Sequence, residues 1–403
     1  MTRPIRIAYL LSHPIQYQSA MLRVIAAQPD IELTVFFGLD TVSRGNFDEG
    51  FGQLVKWDVP LLDGYDHEFL PTLIGASRPG NILPLNRGLR ARLREGRFDL
   101  LWIHGWGRIA DLLAIRDARA LGLPILMRTE NNFRGTARPR AGCIQGLKER
   151  IKHWVMRRCD AFGYMGQAGY DYFRAYRVDA RRLFNMPYMV DNEWLRAACA
   201  QADVAALRQR HDLGGERPVL LYVGKLIRRK GVMDLIEAYA SLEPDGRPYL
   251  LIVGSGEMEV EARSRVETLA LSRVRFAGFR NQGELPAYFA ASDLFVIPSR
   301  DEQWGVVVNE AMNGACAVLA SDECGSAPEL VIEGETGFNY PAGDGDALAL
   351  ALRRALADPD RLRRMGEQAR DHVATYDANR ILQGLRGAIG FLERSGCLGK
   401  AGP

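Results

Sequence analysis

Asp293-Leu294-Phe295-Val296-Ile297-Pro298-Ser299-Arg300-Asp301-Glu302-Gln303-Trp304-Gly305-Val306-Val307-Val308-Asn309-Glu310-Ala311 reads as strand, loop and helix in direct succession. Residues 293–297 are an apolar run short enough for a buried parallel strand, and 306–316 carry a helical pattern. Glu302 then falls in the loop at the strand's carboxyl end, where open α/β sheets bind ligands. Glu310 lies about one turn into the helix, its Cβ tilted back toward the helix N-terminus. Two carboxylates so placed can address one ligand, and acceptor-only groups suit hydroxyl-rich ligands such as a sugar and a ribose. Taken alone, the pair also fits acidic residues favoured near helix starts by the dipole.

A basic counterpart stands some seventy residues earlier. Val219-Leu220-Leu221-Tyr222-Val223-Gly224 reads as a strand and Lys225-Leu226-Ile227-Arg228-Arg229-Lys230-Gly231 as a short cationic loop. A helix follows, with Val232, Leu235, Ile236 and Tyr239 at helical spacing. Free N–H groups at a helix start, the dipole and four cations in six residues together favour a diphosphate.

With these two blocks, Val253-Gly254-Ser255-Gly256, Phe276-Ala277-Gly278-Phe279, Gly325-Ser326-Ala327-Pro328-Glu329-Leu330 and Glu333-Gly334-Glu335-Thr336-Gly337-Phe338 occur in an order that resembles the retaining GT-B glycosyltransferases of family GT4. The match is dense over residues 215–375 and looser over 1–190. It implies an α/β fold of two Rossmann-like parallel-sheet domains facing a central cleft. It further implies that Lys225 and Lys230 hold the donor diphosphate and neutralise the leaving group, and that Glu310 accepts from the ribose hydroxyls. Glu302 and the backbone around Trp304 and Gly305 would take the transferred sugar; Gly224 borders the same site, and Phe279 and Arg280 flank the nucleobase. Lys225 departs from the family's usual arginine, which keeps the charge and loses the bidentate fork. Trp304 stands where phenylalanine is frequent.

A chain of 403 residues is long for one core and suits two domains. They are expected at 1–190 for the acceptor and 191–378 for the nucleotide sugar, with 379–403 as a helix crossing back to the first domain plus a tail. Hydrophobic residues at 47% and charged residues at 25% place the chain in the ordinary globular class. No apolar stretch approaches the roughly 18 residues of a membrane span, and the start has no secretory pattern. Six cysteines without a C-x-x-C pair fit a reduced, cytoplasmic protein without structural zinc.

Charge is unevenly shared: residues 1–190 hold 27 Lys+Arg against 18 Asp+Glu, and 191–403 hold 25 against 31. A pI near 8.5 without a nucleic-acid motif argues against nucleic acid as partner. The excess concentrates in residues 134–158, with eight basic residues and one acid, Glu149. Ile144, Leu147, Ile151, Trp154 and Val155 fall on one helical face there. Two readings stay open: the apolar face packs on its own domain, or the segment meets an anionic inner-membrane surface or lipid-linked acceptor peripherally.

In the first half, strands are expected at 7–11, 33–37, 100–104 and 123–127, alternating with helices at 19–28, 89–95 and 110–121. Residues 75–88 read as an internal loop. Loops at the strand ends offer His13, His104, Arg128 and Glu130. His104 and Glu130 join Lys225, Lys230 and Glu302 as candidate catalytic residues, and His13 and Arg128 are acceptor-side candidates. Relatives in the resembled family carry a glycine-rich first loop and a histidine where Glu130 stands, so the acceptor-side groups are the least defined. Asp344-Gly345-Asp346 has a metal-binding form but reads as a helix N-cap. Gly254-Ser255-Gly256 lacks the third glycine of a redox-dinucleotide fingerprint.

The reading is a metal-independent, cofactor-free glycosyltransferase of bacterial polysaccharide or cell-envelope synthesis. It moves a sugar from a nucleotide-diphosphate sugar to a glycan or lipid-linked hydroxyl with retention. A GT-B nucleotide-sugar epimerase and a non-catalytic sugar-nucleotide-binding subunit are the alternatives.

Overall fold

Near-continuous runs of Val, Leu, Ile and Phe become the central strands of two separate parallel sheets, because a strand covered by helices on both faces has no polar side to show. The structure, a computed structural model, describes residues 3–42, 45–74, 85–133 and 143–398. It divides into two compact units.

Unit 2 holds Phe47–Val59 and Met189–Asp377. Its six strands lie in the order Val274–Gly278, Tyr249–Val253, Val219–Val223, Leu294–Ile297, Ala317–Ser321 and Gly337–Tyr340, all parallel. Numbered along the chain this is 3-2-1-4-5-6, the doubly wound dinucleotide-binding order, whose direction reverses between Val219–Val223 and Leu294–Ile297. The crevice outside that pair's carboxyl ends is where such sheets take ligands. The helix after Leu294–Ile297 is shorter than expected, Val306–Asn313, because the chain turns through Gly314 into Ala315 at φ +59°.

Unit 1 holds the described residues up to Asn46, Pro60–Tyr188, and the chain from Ala378. Its seven parallel strands run Leu183–Asn185, Ala161–Tyr164, Ile125–Arg128, Leu100–His104, Ile5–Leu11, Ile31–Phe37 and Asp66–Phe69. The reversal falls between Ile5–Leu11 and Leu100–His104. The final helix, Ala378–Arg394, buries Ile381, Leu385, Ala388 and Leu392 at helical spacing and packs on Ala161–Tyr164 and Leu183–Asn185. Gly384 permits this approach, since a Cβ there would lie 2.1 Å from the Asn185 carbonyl oxygen. Arg386 adds a two-pronged pair with Asp30 at 2.9 and 3.0 Å.

One segment differs from the expected 1–190 domain. Phe47–Val59, which carries most of the hairpin of Asn46–Asp48 and Gln53–Val55, leaves unit 1 and groups with unit 2, seated by hydrogen bonds from Ser255 to the Phe51 carbonyl (2.9 Å) and from Asn281 to the Lys56 carbonyl (2.7 Å). The expected loop at 75–88 lies outside the described residues over 75–84, and Leu85–Asn86 pairs antiparallel with Thr72–Ile74. The basic segment is outside them over 134–142, and the tail over 399–403. Asp344 does cap its helix, accepting from the Ala347 N–H at 2.9 Å.

Candidate functional site

In unit 2 the two loops at the reversal point are tied together. The Arg300 N–H donates to the Arg229 carbonyl at 2.8 Å, and the Arg229 guanidinium donates to the Asp301 carbonyl at 2.8 Å. Gly231, at φ +71°, is where they come closest: a Cβ would sit 2.0 Å from the Pro298 carbonyl oxygen. Only glycine fits both the left-handed backbone and the approach.

Lys230, from a single 3-10 turn at Arg228–Lys230, forms an ion pair with Glu302 across this junction, both side chains largely buried. Glu302 is held in place by the neighbouring loop. The Gly325 N–H donates to its carbonyl, and the Ser326 N–H to that of Trp304, each at 2.9 Å. The GSAPEL block recognised in the sequence thus buttresses the Glu302 loop. Trp304 is buried and donates through Nε1 to Asn309 at 3.1 Å, so its side chain anchors the following helix. Gly305 opens that helix at φ +85°.

Glu310 points inward from the helix. The residue is 8% exposed, and its carboxylate takes a 2.7 Å hydrogen bond from Gln282. Burial pushes its carboxyl up to about 7, and the Gln282 amide offsets this only in part. Gln282 was not singled out in the sequence; its signal is a polar run, Arg280-Asn281-Gln282, just past the strand Val274–Gly278.

Gly224 joins the sheet, donating to the Val253 carbonyl at 3.0 Å. Lys225 extends to Asp48 of the hairpin at 2.8 Å and lies over the Phe51 ring, 5.0 Å from its centre. Phe279 meets Phe51 edge-on at 4.9 Å and Trp57 at 6.4 Å. The Arg280 guanidinium is engaged locally, by the Ala277 carbonyl at 2.9 Å and Glu284 at 3.2 Å. Unit 2 therefore brings Gly224, Lys225, Lys230, Phe279, Glu302, Trp304, Gly305 and Glu310 to one end of its sheet.

Unit 1 gathers a second cluster at its own reversal point. Glu130 accepts from the Tyr188 hydroxyl at 2.9 Å, and Tyr188 meets Tyr17 edge-on at 5.1 Å. Arg128 does not pair with Glu130 and is not an open acceptor contact. It is wholly buried, donates to the carbonyls of Met186 (3.0 Å) and Pro187 (3.2 Å), and lies 4.8 Å over the Tyr188 ring. It fixes the ring that in turn orients Glu130. Nδ1 of His104 is 3.3 Å from the Tyr9 hydroxyl. Burial, with Arg128 and Arg108 adding to it, holds the imidazole well below its usual range, so His104 is neutral at physiological pH. His13 is paired with Ser12 at 2.9 Å.

The sequence profile described as Glycosyl transferases group 1 matches residues 203–372, all within unit 2. Alpha-D-kanosaminyltransferase of Streptomyces kanamyceticus is 28% identical over 305 residues, covering 74% of this chain and 78% of that protein. Alpha-maltose-1-phosphate synthase of Mycolicibacterium smegmatis is 36% identical over 168 residues, covering 38% of this chain and 43% of its own length. The chain thus spans less than half of that relative. Among solved structures, Anabaena Alr3699/HepE in complex with UDP superposes with a TM-score of 0.71 at 19% identity, over 96% of this chain and 100% of that one. Two parallel sheets with helices on their faces, a group 1 profile on the second and a sugar-transferase relative along most of the length converge: the chain is a GT-B-fold glycosyltransferase related to the group 1 glycosyl transferases.

Proposed function

We propose that unit 2 binds a nucleotide-diphosphate sugar and that the sugar passes to a hydroxyl of a glycan or lipid-linked acceptor with retained anomeric configuration. The observation that carries this reading is the placement of Lys225, Lys230, Glu302 and Glu310 around the reversal point of a 3-2-1-4-5-6 sheet. As the bond from the anomeric carbon to the diphosphate oxygen breaks, the electron pair goes to the diphosphate. Lys225, Lys230 and the backbone N–H groups at the start of Val232–Ala240 stabilise that charge. The acceptor oxygen bonds to the anomeric carbon on the face being vacated and passes its proton to a departing phosphate oxygen. Glu302 holds the sugar and Glu310 the ribose. Unit 1 supplies the acceptor contacts through Glu130, oriented by Tyr188, and neutral His104; His13 belongs to the same loop set. The acceptor chemistry belongs to a cytoplasmic enzyme of envelope glycan synthesis.

A thermal-shift screen against UDP, GDP, ADP and dTDP tests the donor half, with UDP first because a structural neighbour holds it. One nucleotide at a hundred times its Kd should stabilise the protein by about 2.7 kcal/mol. Lys225→Ala should diminish that gain. Isomerisation of a nucleotide sugar with no acceptor added would establish the epimerase reading instead.

The helix Cys143–Arg158 bears on the acceptor's source. Val155 and Met156 are buried, so its second half packs on unit 1, whereas Leu147 is 59% exposed. Arg150, His153, Trp154, Arg157 and Arg158 line a groove of about 480 Å³. This charge and the exposed leucine support a peripheral contact with anionic lipid. Each basic side chain near such a surface contributes about 1 kcal/mol. Cosedimentation with phosphatidylglycerol vesicles should weaken about thirtyfold in Arg157→Ser/Arg158→Ser. Equal sedimentation with neutral vesicles would remove the charge-driven contact, and no sedimentation with either would remove the membrane from the account. Among the described residues no helix is long and apolar enough to cross a membrane.

A further inference from the structure

The hairpin of Asn46–Asp48 and Gln53–Val55 sits on the loops that follow the first three strands of unit 2. Its tip is a built contact. Asp48 accepts from the N–H groups of Gly50 (2.9 Å) and Phe51 (3.1 Å), which closes the turn, and its carboxylate also pairs with Lys225 at 2.8 Å. Phe51 packs against both the Lys225 ammonium and Phe279, and Ser255 holds its carbonyl. A Cβ on Gly50 would fall 2.5 Å from the Lys225 side chain, so tip and lysine are in full contact. Both side chains of the ion pair are about one quarter to one third exposed, 24% for Asp48 and 31% for Lys225. The pair is therefore reachable by a solute anion and not locked in the interior.

We propose that Asp48 is a positioning residue for the donor that competes with the donor diphosphate for Lys225: the hairpin tip occupies the lysine in the ligand-free enzyme and yields it when the diphosphate arrives. This rests on the assignment of Lys225 to the diphosphate. A cation held in an internal pair binds an incoming anion with an affinity reduced by the fraction of time it is free. Removing the Asp48 charge removes that reduction. The hydrogen-bonded turn survives in Asp48→Asn, whose side-chain oxygen still accepts from Gly50 and Phe51, and in Asp48→Ser, a second neutral turn former.

The experiment is titration calorimetry of the full chain with UDP, GDP, ADP and dTDP, on wild type, Asp48→Asn, Asp48→Ser and Glu310→Gln. Each variant's melting temperature is checked first. Competition predicts that both Asp48 variants bind the preferred nucleotide about three- to tenfold tighter than wild type, and that the gain vanishes when Lys225→Ala is added. A purely structural hairpin predicts the reverse, lower melting temperature with weaker binding, and that result overturns the proposal. So does an unchanged affinity in wild type and both Asp48 variants while Glu310→Gln weakens it, which leaves the donor-site assignment standing. If no nucleotide binds wild type or either Asp48 variant at millimolar concentration, the donor-site reading falls and the competition with it.

Discussion

Glu310→Gln should stabilise the protein at pH 8 in the absence of nucleotide and weaken its hold on the nucleotide. Burial lifts the folded-state carboxyl to about 7, against 4.5 for the free side chain. Between those values the folded chain binds the proton and the unfolded chain does not. Stability from this group is therefore full below pH 4.5 and is lost as pH rises through 7, by on the order of 3 kcal/mol. A neutral glutamine at this position escapes that loss and still accepts from Gln282. Denaturant midpoints of the two proteins should coincide near pH 4.5 and separate by pH 8, the variant being the more stable. Binding runs the other way. In the proposed site ribose hydroxyls donate to the carboxylate, so nucleotide affinity should rise between pH 6 and 8 in wild type and stay flat in the variant. At pH 8 the variant should bind about 1.5–3 kcal/mol more weakly, the scale of a charged hydrogen bond. A variant equal to wild type in affinity at both pH values would take the ribose away from Glu310.

On the proposed role of Lys230, Lys230→Ala should lower kcat/KM by about 10²–10³, the usual loss when a preorganised group facing a developing negative charge is removed. The ion pair with Glu302 adds a second consequence. Truncating the lysine leaves Glu302 in a largely buried position without its cation, and such a break destabilises more than the pair itself contributes. Glu302→Gln separates the roles. It frees Lys230, so the bare nucleotide diphosphate should bind at least as tightly as to wild type, whereas the extra affinity and turnover contributed by the attached sugar should be lost. Weaker binding of nucleotide and nucleotide sugar alike would mean that Glu302 serves the loop and not the sugar.

How much of this was legible in the sequence differs between the units for a physical reason. In unit 2 the strands Val219–Val223, Tyr249–Val253 and Leu294–Ile297 are covered on both faces and show as uninterrupted apolar runs. In unit 1 the edge strand is Asp66-His67-Glu68-Phe69, whose polar residues give no such signal, and Leu183–Asn185 is too short to carry a period. Lys230 and Glu302 were both visible as ligand candidates, but their pairing depends on loops 72 residues apart meeting at the sheet reversal. Arg128 looked available because nothing local marks burial. What buries it is the stretch at Met186 and Pro187 nearly sixty residues on. Asp48 was invisible because its partner, Lys225, lies 177 residues away.

The hairpin also sets an order of events during synthesis. Phe47–Val59 emerges with unit 1 but finds its seat only after the chain has reached Asn281. At about 5–20 residues per second this leaves it waiting roughly ten to forty seconds. Unit 1 in turn lacks its helix Ala378–Arg394 until the whole of Met189–Asp377 has been made. Neither unit is a segment that can be cut from the gene at one point. A fragment starting at Met189 would leave Lys225 and Phe279 without the partners that residues 47–59 provide.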